Sequence, residues 1–245
     1  MTEHHVFQAF LRRVRADRPV ALATVISGGG AVGVKMLLDP DGNTQGSLGS
    51  TELDAAARGF AESLLRERRS ASLDVRGSRI FVEVHLPSPR LIIIGAVHIA
   101  VTLGRLAREL GFRVVVCDAR GRFATPERFP DVDDLILGWP SEIIPKLDLD
   151  EFSYVVVVTH DEKLDNPALQ AALASPAPYV GALGSKKTHM RRIAALRQAG
   201  VGEPDLERIH SPIGLDIDAR TPHEIALATL AEVVAVRNRA SGGGE

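Results

Sequence analysis

Two histidines follow apolar runs of the chain, at points where their side chains can reach a ligand. His98 comes shortly after the run at 91–94, and His160 stands two residues past the run at 154–158. Imidazole changes charge near neutral pH and can donate or accept a hydrogen bond, so both residues suit ligand contact or acid–base work. The alternative is that both histidines only hydrogen-bond loop backbone.

Region 89–118 has the order that is typical of the first unit of a dinucleotide-binding fold: strand, turn, helix, strand and acid. The turn is Gly95-Ala96-Val97-His98, and the second strand ends on Asp118. In such a unit the helix N-terminus binds pyrophosphate and the acid binds ribose hydroxyls. Val97 stands where the fingerprint has its second glycine, and its β-branched side chain partly fills the phosphate space. The alternative is a helix–sheet turn that binds nothing.

The loops that leave neighbouring strands are expected to form one crevice. Open parallel sheets bind ligands outside the carboxyl ends of their strands, where the strand order reverses. In the usual doubly wound order, the strands that begin at Leu91 and Tyr154 are neighbours at that point. We therefore expect one anion-binding hollow between their loops. The residues expected there are Gly95, Ala96, Val97, His98, Asp118, Arg120, Thr159, His160 and Asp161.

A second candidate site is the segment Gly181-x-x-Gly184-Ser185-Lys186-Lys187. Glycines let backbone approach a ligand, and Ser185 can cap the following helix. Lysines in a first helical turn oppose the helix dipole, which favours anions there. An anion bound at the helix end would offset that mismatch. The alternative is two solvated surface lysines.

Two further residues have more local interpretations. Asp216 lies in the segment 212–218, between a short strand and the last helix, and either contacts a ligand or caps buried amides. Cys117 lies inside the strand before Asp118, where burial raises a thiol pKa, so we do not expect a nucleophile. The histidine and carboxylate spacing matches no known metal pattern, so we predict no metal site.

Composition excludes several classes of protein. The chain has 245 residues, 45% hydrophobic and 24% charged, with a net charge of −2, so bulk electrostatics imply no nucleic-acid partner. Its single cysteine allows no intrachain disulfide. No apolar run approaches the roughly 20 residues of a membrane span, and no signal peptide is evident, so cytoplasm is the default location. The glycine-rich tail, 241–245, is expected to be disordered.

The pattern of elements predicts an α/β protein of two domains. Residues 1–86 are expected to form a small α+β domain, with a helix at 6–14, a strand at 20–26, a hairpin at 34–38 and 44–48, a helix at 53–64 and a strand at 80–86. Residues 87–240 are expected to form a Rossmann-like parallel sheet with helices on both faces. Thr221, Pro222 and Glu224 mark the start of the last helix by a capping box.

Seven motifs occur together in one order: Ile94-Gly95-Ala96-Val97-His98-Ile99-Ala100, Asp118-x-Arg120, Phe123-Ala124-Thr125-Pro126-Glu127-Arg128-Phe129-Pro130, Thr159-His160-Asp161, Gly181-Ala182-Leu183-Gly184-Ser185, Pro212-Ile213-Gly214-Leu215-Asp216-Ile217 and Thr221-Pro222-x-Glu224-Ile225-Ala226. This combination resembles the C-terminal Rossmann-like part of the XdhC/CoxI family, the xanthine dehydrogenase accessory proteins. The segments Ala23-Thr24-Val25, Gly33-x-Lys35-Met36 and Asp41-Gly42 resemble the N-terminal domain of that family.

The resemblance implies a maturation factor for molybdenum hydroxylases. Such a protein binds molybdenum cofactor (molybdopterin), supports its sulfuration and hands it to the apo-enzyme, so it is a carrier more than a catalyst. The implied partners are the molybdenum hydroxylase apo-enzyme, a cysteine desulfurase and a second copy of the chain in a homodimer.

The sequence also departs from the family pattern. The family has glycine at the Val97 position. Its Ser-Ala-Pro-Arg-like loop is shortened here to the Gly28-Gly29-Gly30 region, and its Gly-Gly-Cys-Val-Glu-like segment reads Gly49-Ser50-Thr51-Glu52-Leu53, without the soft thiolate that suits a molybdenum or sulfur centre. Two other functions therefore stay open. One is an NAD(P)-dependent oxidoreductase, in which Asp118 favours NAD although Arg120 lies nearby. The other is a protein-binding module with a vestigial crevice.

Overall fold

The computed structural model of the chain describes residues 3–29 and 31–240. It has two compact units: one holds the chain up to Pro87 and resumes at Asn238, and the other runs from Ser88 to Arg237. The tail predicted to be disordered, 241–245, lies outside the described residues. Within the described ranges, none of the helices has the length and apolar character that a bilayer crossing requires.

The first unit is an antiparallel sheet covered by one helix on each face. Its elements are α1 (Glu3–Arg15), β1 (Val20–Gly28), β2 (Lys35–Leu38), β3 (Thr44–Gly46), α2 (Thr51–Glu67), β4 (Ala71–Val75) and β5 (Ser78–His85). The spatial order is β3-β2-β1-β5-β4. Side chains alternate along β1, so Ala21 and Ala23 pack towards α2 while Val20 and Leu22 pack towards α1. These bounds confirm the predicted helices, strands and hairpin of this unit.

Strand β4 is an element that the sequence analysis did not predict. Its residues alternate between half-buried Ala71, Leu73 and Val75 and exposed Ser72 and Asp74, but no side chain in it is fully buried. It pairs with β5 through a two-residue turn in which Arg76 and Gly77 have φ angles of 51° and 76°. Two positive φ angles are typical of the tight hairpin turn that matches strand twist. The Arg76-Gly77 dipeptide was therefore the sequence feature that could have predicted this hairpin and its strand β4.

The second unit is a parallel sheet with helices on both faces. Its elements are β6 (Arg90–Ile94), α3 (His98–Glu109), β7 (Arg113–Asp118), β8 (Asp134–Leu137), α4 (Pro140–Ile143), β9 (Ser153–Val157), α5 (Glu162–Leu173), β10 (Tyr179–Ala182), α6 (Lys186–Gln198), α7 (Glu203–Leu206), β11 (Ile209–His210) and α8 (Pro222–Ala240). The six strands follow the order β11-β10-β9-β6-β7-β8, and every neighbouring pair is parallel.

The strand order reverses between β6 and β9. The chain moves outwards from β6 to β7 and β8, and then returns to β9 on the other side of β6. This confirms the predicted doubly wound order and the Rossmann-like fold class. The loops after β6 and β9 therefore leave the sheet side by side, at the place where such folds bind ligands.

Apolar residues on both faces of β6 hold the sheet between two helical layers. Leu91 and Ile93 belong to the core shared with α3 and α8, whereas Ile92 and Ile94 belong to the core shared with α5 and α7. Strands buried on both faces have continuous apolar sequences, and these continuous runs predicted the strands of the sheet. Helix α5 was not predicted, and Pro167 inside it obscures its pattern.

The single cysteine is expected to be unreactive in the folded protein. Cys117 is buried in β7, and burial, with the charges of Asp134 and Asp118, raises the pKa of its thiol to about 12. Because the thiolate is the reactive form, we expect the folded protein to resist alkylation by iodoacetamide at pH 8, and the urea-unfolded protein to react fully. Mass spectrometry of the labelled chain measures this, and rapid labelling of the folded protein would contradict it.

Candidate functional site

The turn after β6 requires glycine at its first position. Gly95 has a φ of 111°, and its amide donates to the Cys117 carbonyl oxygen at 2.8 Å. A Cβ atom on Gly95 would lie 2.5 Å from Cγ2 of Thr159, closer than two carbon atoms can approach. The absent side chain therefore lets the loop after β9 lie directly against the turn after β6.

Asp118 is buried at the end of β7 and is bonded on both oxygens. Oδ2 accepts from the Ala96 amide and from Nη2 of Arg120, both at 2.8 Å. Oδ1 accepts from the amide and Nε of Arg120, both at 2.9 Å. Burial raises the pKa of Asp118, but the hydrogen bonds from Arg120 and Ala96 outweigh it and hold the pKa below its ordinary value of 3.8.

These four bonds use the accepting capacity of the Asp118 carboxylate. The carboxylate ties the turn to the loop after β7 and has no oxygen left for ribose hydroxyls. The guanidinium of Arg120 also lies over the Phe123 ring, 4.7 Å from its centroid. This arrangement differs from the ribose contact that the fingerprint assigns to an acid in this position, because Arg120 takes the place of the ligand hydroxyls.

A buried network holds the loop after β9. Oγ1 of Thr159 donates to Asp165 at 2.6 Å and accepts from the Asp161 amide at 2.9 Å. Asp161 caps α5, because its side chain accepts from the Lys163 amide at 3.0 Å. The loop that carries His160 is thus fixed on both sides of the histidine.

Asp165 pairs with Arg192 of α6 and so joins the loops after β9 and β10. Nη2 of Arg192 lies 3.1 Å from Asp165 Oδ2, and the same nitrogen donates to the Leu183 carbonyl oxygen at 3.1 Å. Both side chains are buried, at 4% and 3% exposure. Burial raises the pKa of Asp165, and the Thr159 and Arg192 bonds oppose that rise. Breaking one side of such a pair would leave a buried charge alone.

A pocket of about 240 Å³ lies where the loops after β6, β9 and β10 meet the start of α8. Its polar residues are His98 and His160, both exposed. The apolar residues that line it are Val97, Ile99, Val158, Leu183, Pro222 and Ile225. The structure therefore brings the two predicted histidines together, and Val97 stands in the pocket wall beside them.

The positive ends of helices surround this pocket. Helix α3 begins at His98 and α8 at Pro222, both in the lining, and α5 and α6 begin just after the lining residues His160 and Leu183. Each helix N-terminus carries about half a positive charge and free amide donors. The His98 and His223 rings lie 6.0 Å apart at the start of α3 and α8. The pocket thus has apolar walls, and of the four helix starts near it those of α3 and α6 have no acidic residue in the first turn.

The other predicted site residues lie outside the pocket lining. Gly181 packs within β10 against Tyr179 and Ile213, where a Cβ would lie 2.7 Å from each. Ser185 caps α6 by accepting from the Thr188 amide at 3.2 Å, and Lys186 is the exposed first residue of that helix. Asp216 is exposed, and within the described ranges the structure gives it no hydrogen-bond or ion-pair partner. Across residues 3–29 and 31–240, no three His, Cys, Asp or Glu side chains could hold a metal ion.

Two protein-family models match the sequence of this chain. The XdhC Rossmann domain model matches residues 91–233, which is more than half of the chain, and the XdhC and CoxI family model matches residues 13–76.

The chain belongs to the XdhC/CoxI family.

Relatives agree with this XdhC/CoxI assignment. The chain is 32% identical to a probable xanthine dehydrogenase subunit of Bacillus subtilis, over 66% of this chain and 47% of that protein. It is 36% identical to the molybdenum cofactor insertion chaperone PaoD of Escherichia coli, over 40% of this chain and 30% of that protein. A crystal structure named a xanthine dehydrogenase, from Bacillus halodurans, shares the fold with a TM-score of 0.58 and 21% identity, and the match covers 94% and 95% of the two chains.

The chain spans about half the length, or less, of the curated relatives that it matches.

Within this XdhC/CoxI chain, sequence reasoning missed three polar residues near the pocket. His223 follows Thr221 and Pro222, so the predicted helix start could have placed it beside the crevice. Asp165 and Arg192 gave no comparable signal, because helical charged residues are usually exposed.

Substitution of Gly95 tests the close approach of the two loops. We expect Gly95→Ala to destabilise the protein by about 2 kcal/mol or more, because the new Cβ meets Thr159 and the backbone has a positive φ. Urea unfolding followed by circular dichroism measures the change. Gly121→Ala is the matched control, since its Cβ would make only ordinary contacts of 3.6 Å with Leu137. Equal stability of the two variants would contradict the packing described.

Substitution of Asp118 tests its internal role. We expect Asp118→Asn to lower the free energy of unfolding by about 2–4 kcal/mol at pH 7, because the ion pair of a buried carboxylate with Arg120 is lost. The folded pKa lies below the ordinary 3.8, so this stabilisation is complete above that pH and is lost as pH falls through the folded pKa. The difference between wild type and variant should therefore stay constant from pH 8 to 5 and shrink below about pH 4.

The control for this prediction is Asp218→Asn, in which the exposed partner of Arg220 is changed. Solvent screens that pair, so little change in stability is expected at any pH. If Asp118→Asn behaved like the control, the carboxylate would not hold the turn.

Proposed function

We propose that this XdhC/CoxI chain is an accessory factor for a molybdenum hydroxylase of the xanthine dehydrogenase kind, which binds molybdenum cofactor and delivers it to the apo-enzyme. The observation that carries the proposal is the pocket at the strand-order reversal, where helix N-termini and His98 and His160 surround apolar walls. The names of two relatives, a molybdenum cofactor insertion chaperone and a probable part of a xanthine dehydrogenase, agree with such a role.

The chemistry of the pocket suits an anionic heterocycle. The starts of α3 and α6, which have no acidic residue in their first turns, and the two imidazoles favour a bound anion, and no carboxylate is among the described residues that line the pocket. Aliphatic side chains such as Val97, Leu183 and Ile225 can contact the flat face of a ring. Molybdopterin combines both features, since it has a pterin ring system and a phosphate group.

The size of the pocket limits how much of the cofactor it can enclose. A volume of about 240 Å³ lies below the roughly 300–1,000 Å³ of a site that surrounds a whole ligand. The pocket therefore fits the pterin part, with the remaining groups outside. A carrier that leaves part of its cargo exposed can release it to an acceptor protein without unfolding.

The chain itself offers no thiolate to molybdenum or to a transferred sulfur. Cys117 is the only cysteine, and it is buried with a pKa of about 12. In the segment where the family has a cysteine, Ser50 instead caps α2 by accepting from the Leu53 amide at 3.2 Å. We therefore assign this chain to binding and delivery, and sulfuration to a partner such as a cysteine desulfurase.

The internal bonding of Asp118 argues against the nicotinamide alternative. An NAD-binding unit of this kind uses the acid at the end of the second strand for the ribose hydroxyls. Here Arg120 and the Ala96 amide already occupy both carboxylate oxygens. A nicotinamide dinucleotide would have to displace that pair before it could bind in the usual way.

Cofactor loading tests the proposal. Protein purified from a molybdenum-replete host is expected to release a fluorescent pterin on oxidation, and a His98→Ala/His160→Ala variant should retain about ten-fold less, because two charged or hydrogen-bonding contacts are lost. His4→Ala, an exposed change in α1, is the matched control and should load like wild type.

Two results would contradict the proposal. One is a wild-type protein that carries no pterin after co-expression with the cofactor pathway and incubation with isolated cofactor. The other is a saturable NADH fluorescence change with no pterin, which would favour the oxidoreductase instead.

A further inference from the structure

We propose that the start of α6 is a binding site for a phosphate-type oxyanion, built from the first amides of the helix, Lys186, Lys187, the buried side chain of Arg192 and the half-buried His189. It lies beside the pocket but is not part of its lining. The inference deepens the proposed function, on which its biological ligand rests: the phosphate group of the carried cofactor would bind here.

The helix start is positive and has no acidic residue in its first turn. Ser185 uses its hydroxyl to accept from the Thr188 amide, which leaves the amides of Lys186 and Lys187 without intrahelical acceptors. The lysines are exposed, and both oppose the dipole of a helix that runs for 13 residues. A bound anion would turn each of these unfavourable charges into a favourable one.

Arg192 supplies an independent observation. Its side chain extends from the second turn back to the helix start, where Nη2 reaches the Leu183 carbonyl oxygen just before the cap. The side chain is only 4% exposed, and its Nη1 is buried without a hydrogen-bond partner among the described residues. A buried guanidinium donor without an acceptor is costly, and such groups in native structures call for a bound water, ion or ligand.

His189 presents a second buried nitrogen that finds no partner in the described part of the chain. Its Nδ1 lies on the same helix, one turn before Arg192. Burial and the nearby Arg192 charge lower the pKa of His189, so the ring is neutral at pH 7 and can donate from one nitrogen. In the tautomer that carries its proton on Nδ1, His189 is a further donor for the proposed ligand.

Gly184 gives the approach to these donors. It has a φ of 155°, and a Cβ atom there would lie 3.5 Å from Arg192 Nη1 and 3.2 Å from Thr188 Cγ2. The missing side chain leaves that space to a ligand atom. The carboxylates that pair with this helix near its start, Asp165 and Glu162, are already engaged by Arg192 and Arg191. The two lysine charges are thus left for a ligand.

The set of donors selects the chemical class of the ligand. Two backbone amides, two ammonium groups and a guanidinium nitrogen exceed the acceptors of a single carboxylate. A phosphate monoester or a diphosphate offers three or more oxygens around one centre, which matches donors that converge from different directions.

Titration of the full chain with inorganic phosphate and with pyrophosphate tests the site. In amide and arginine side-chain NMR spectra, saturable shifts are expected for Lys186, Lys187 and the Arg192 guanidinium. A Lys186→Gln/Lys187→Gln variant should bind about ten-fold more weakly, because two charge-assisted contacts are lost. Lys146→Gln removes an exposed lysine from the segment before β9, outside α6, and should bind like wild type.

Arg192 is tested by two variants, because removal of one member of a buried pair can prevent folding. Arg192→Lys keeps the charge for Asp165 but removes the second nitrogen, and Asp165→Asn/Arg192→Met removes both members. Each should retain the fold by circular dichroism and bind pyrophosphate at least about five-fold more weakly. Wild-type affinity in both folded variants would overturn the role of Arg192.

The outcomes separate this inference from the proposed function. Absence of saturable shifts at Lys186 and Lys187 in wild type, with pterin loading intact, would overturn the anion site and leave the carrier role standing. Phosphate or pyrophosphate binding at α6 in a protein that never carries pterin would support the site and contradict the carrier role. Stronger binding of pyrophosphate than of phosphate would identify a diphosphate group as the preferred ligand. Stronger binding of phosphate than of pyrophosphate would identify a phosphate monoester as the preferred ligand.

Discussion

The acidic residues at the carboxyl edge of the parallel sheet are bonded within the protein, and the character of the site depends on this constraint. Asp118 is used by Arg120 and the Ala96 amide, Asp165 by Thr159 and Arg192, and Asp161 by the start of α5. Each carboxylate fixes one loop to its neighbour. Asp161 lies at the start of α5, whereas the first turns of α3 and α6, which begin at the same edge, contain no acidic residue. The same edge of the sheet therefore combines loops held by internal bonds with two helix starts, those of α3 and α6, that have no acidic residue in their first turns.

The same constraint separates what sequence patterns could predict from what they could not. Continuous apolar runs located the strands of the sheet, and the usual strand order then placed His98 and His160 at one pocket. The bonding of Asp118 depends on a partner only two residues further on, whose side chain could equally have pointed to solvent. A buried Arg192 was still harder to anticipate, because a basic residue on a helix is usually exposed. Local sequence patterns thus predicted the strands and their order, but they could not predict which charged residues pair with each other.

Val97 illustrates how position alters the meaning of a substitution. The sequence analysis expected its side chain to fill part of a phosphate site. In the structure Val97 is the N-cap residue of α3, makes no side-chain cap bond and lies among the apolar residues of the pocket. Glycine at this point would open the wall, whereas valine extends an apolar surface next to the helix amides. Val97 therefore contributes apolar surface to the pocket beside the first amides of α3.

The burial of Cys117 has a consequence for the life cycle of the protein. Its thiol is enclosed in a strand beside Asp118, and it is the only sulfhydryl of the chain. Disulfides and persulfides react with an accessible thiolate, so the buried Cys117 does not form a covalent adduct with them in the folded chain. The folded chain therefore keeps its thiol reduced without a dedicated reductant when disulfides or persulfides are present.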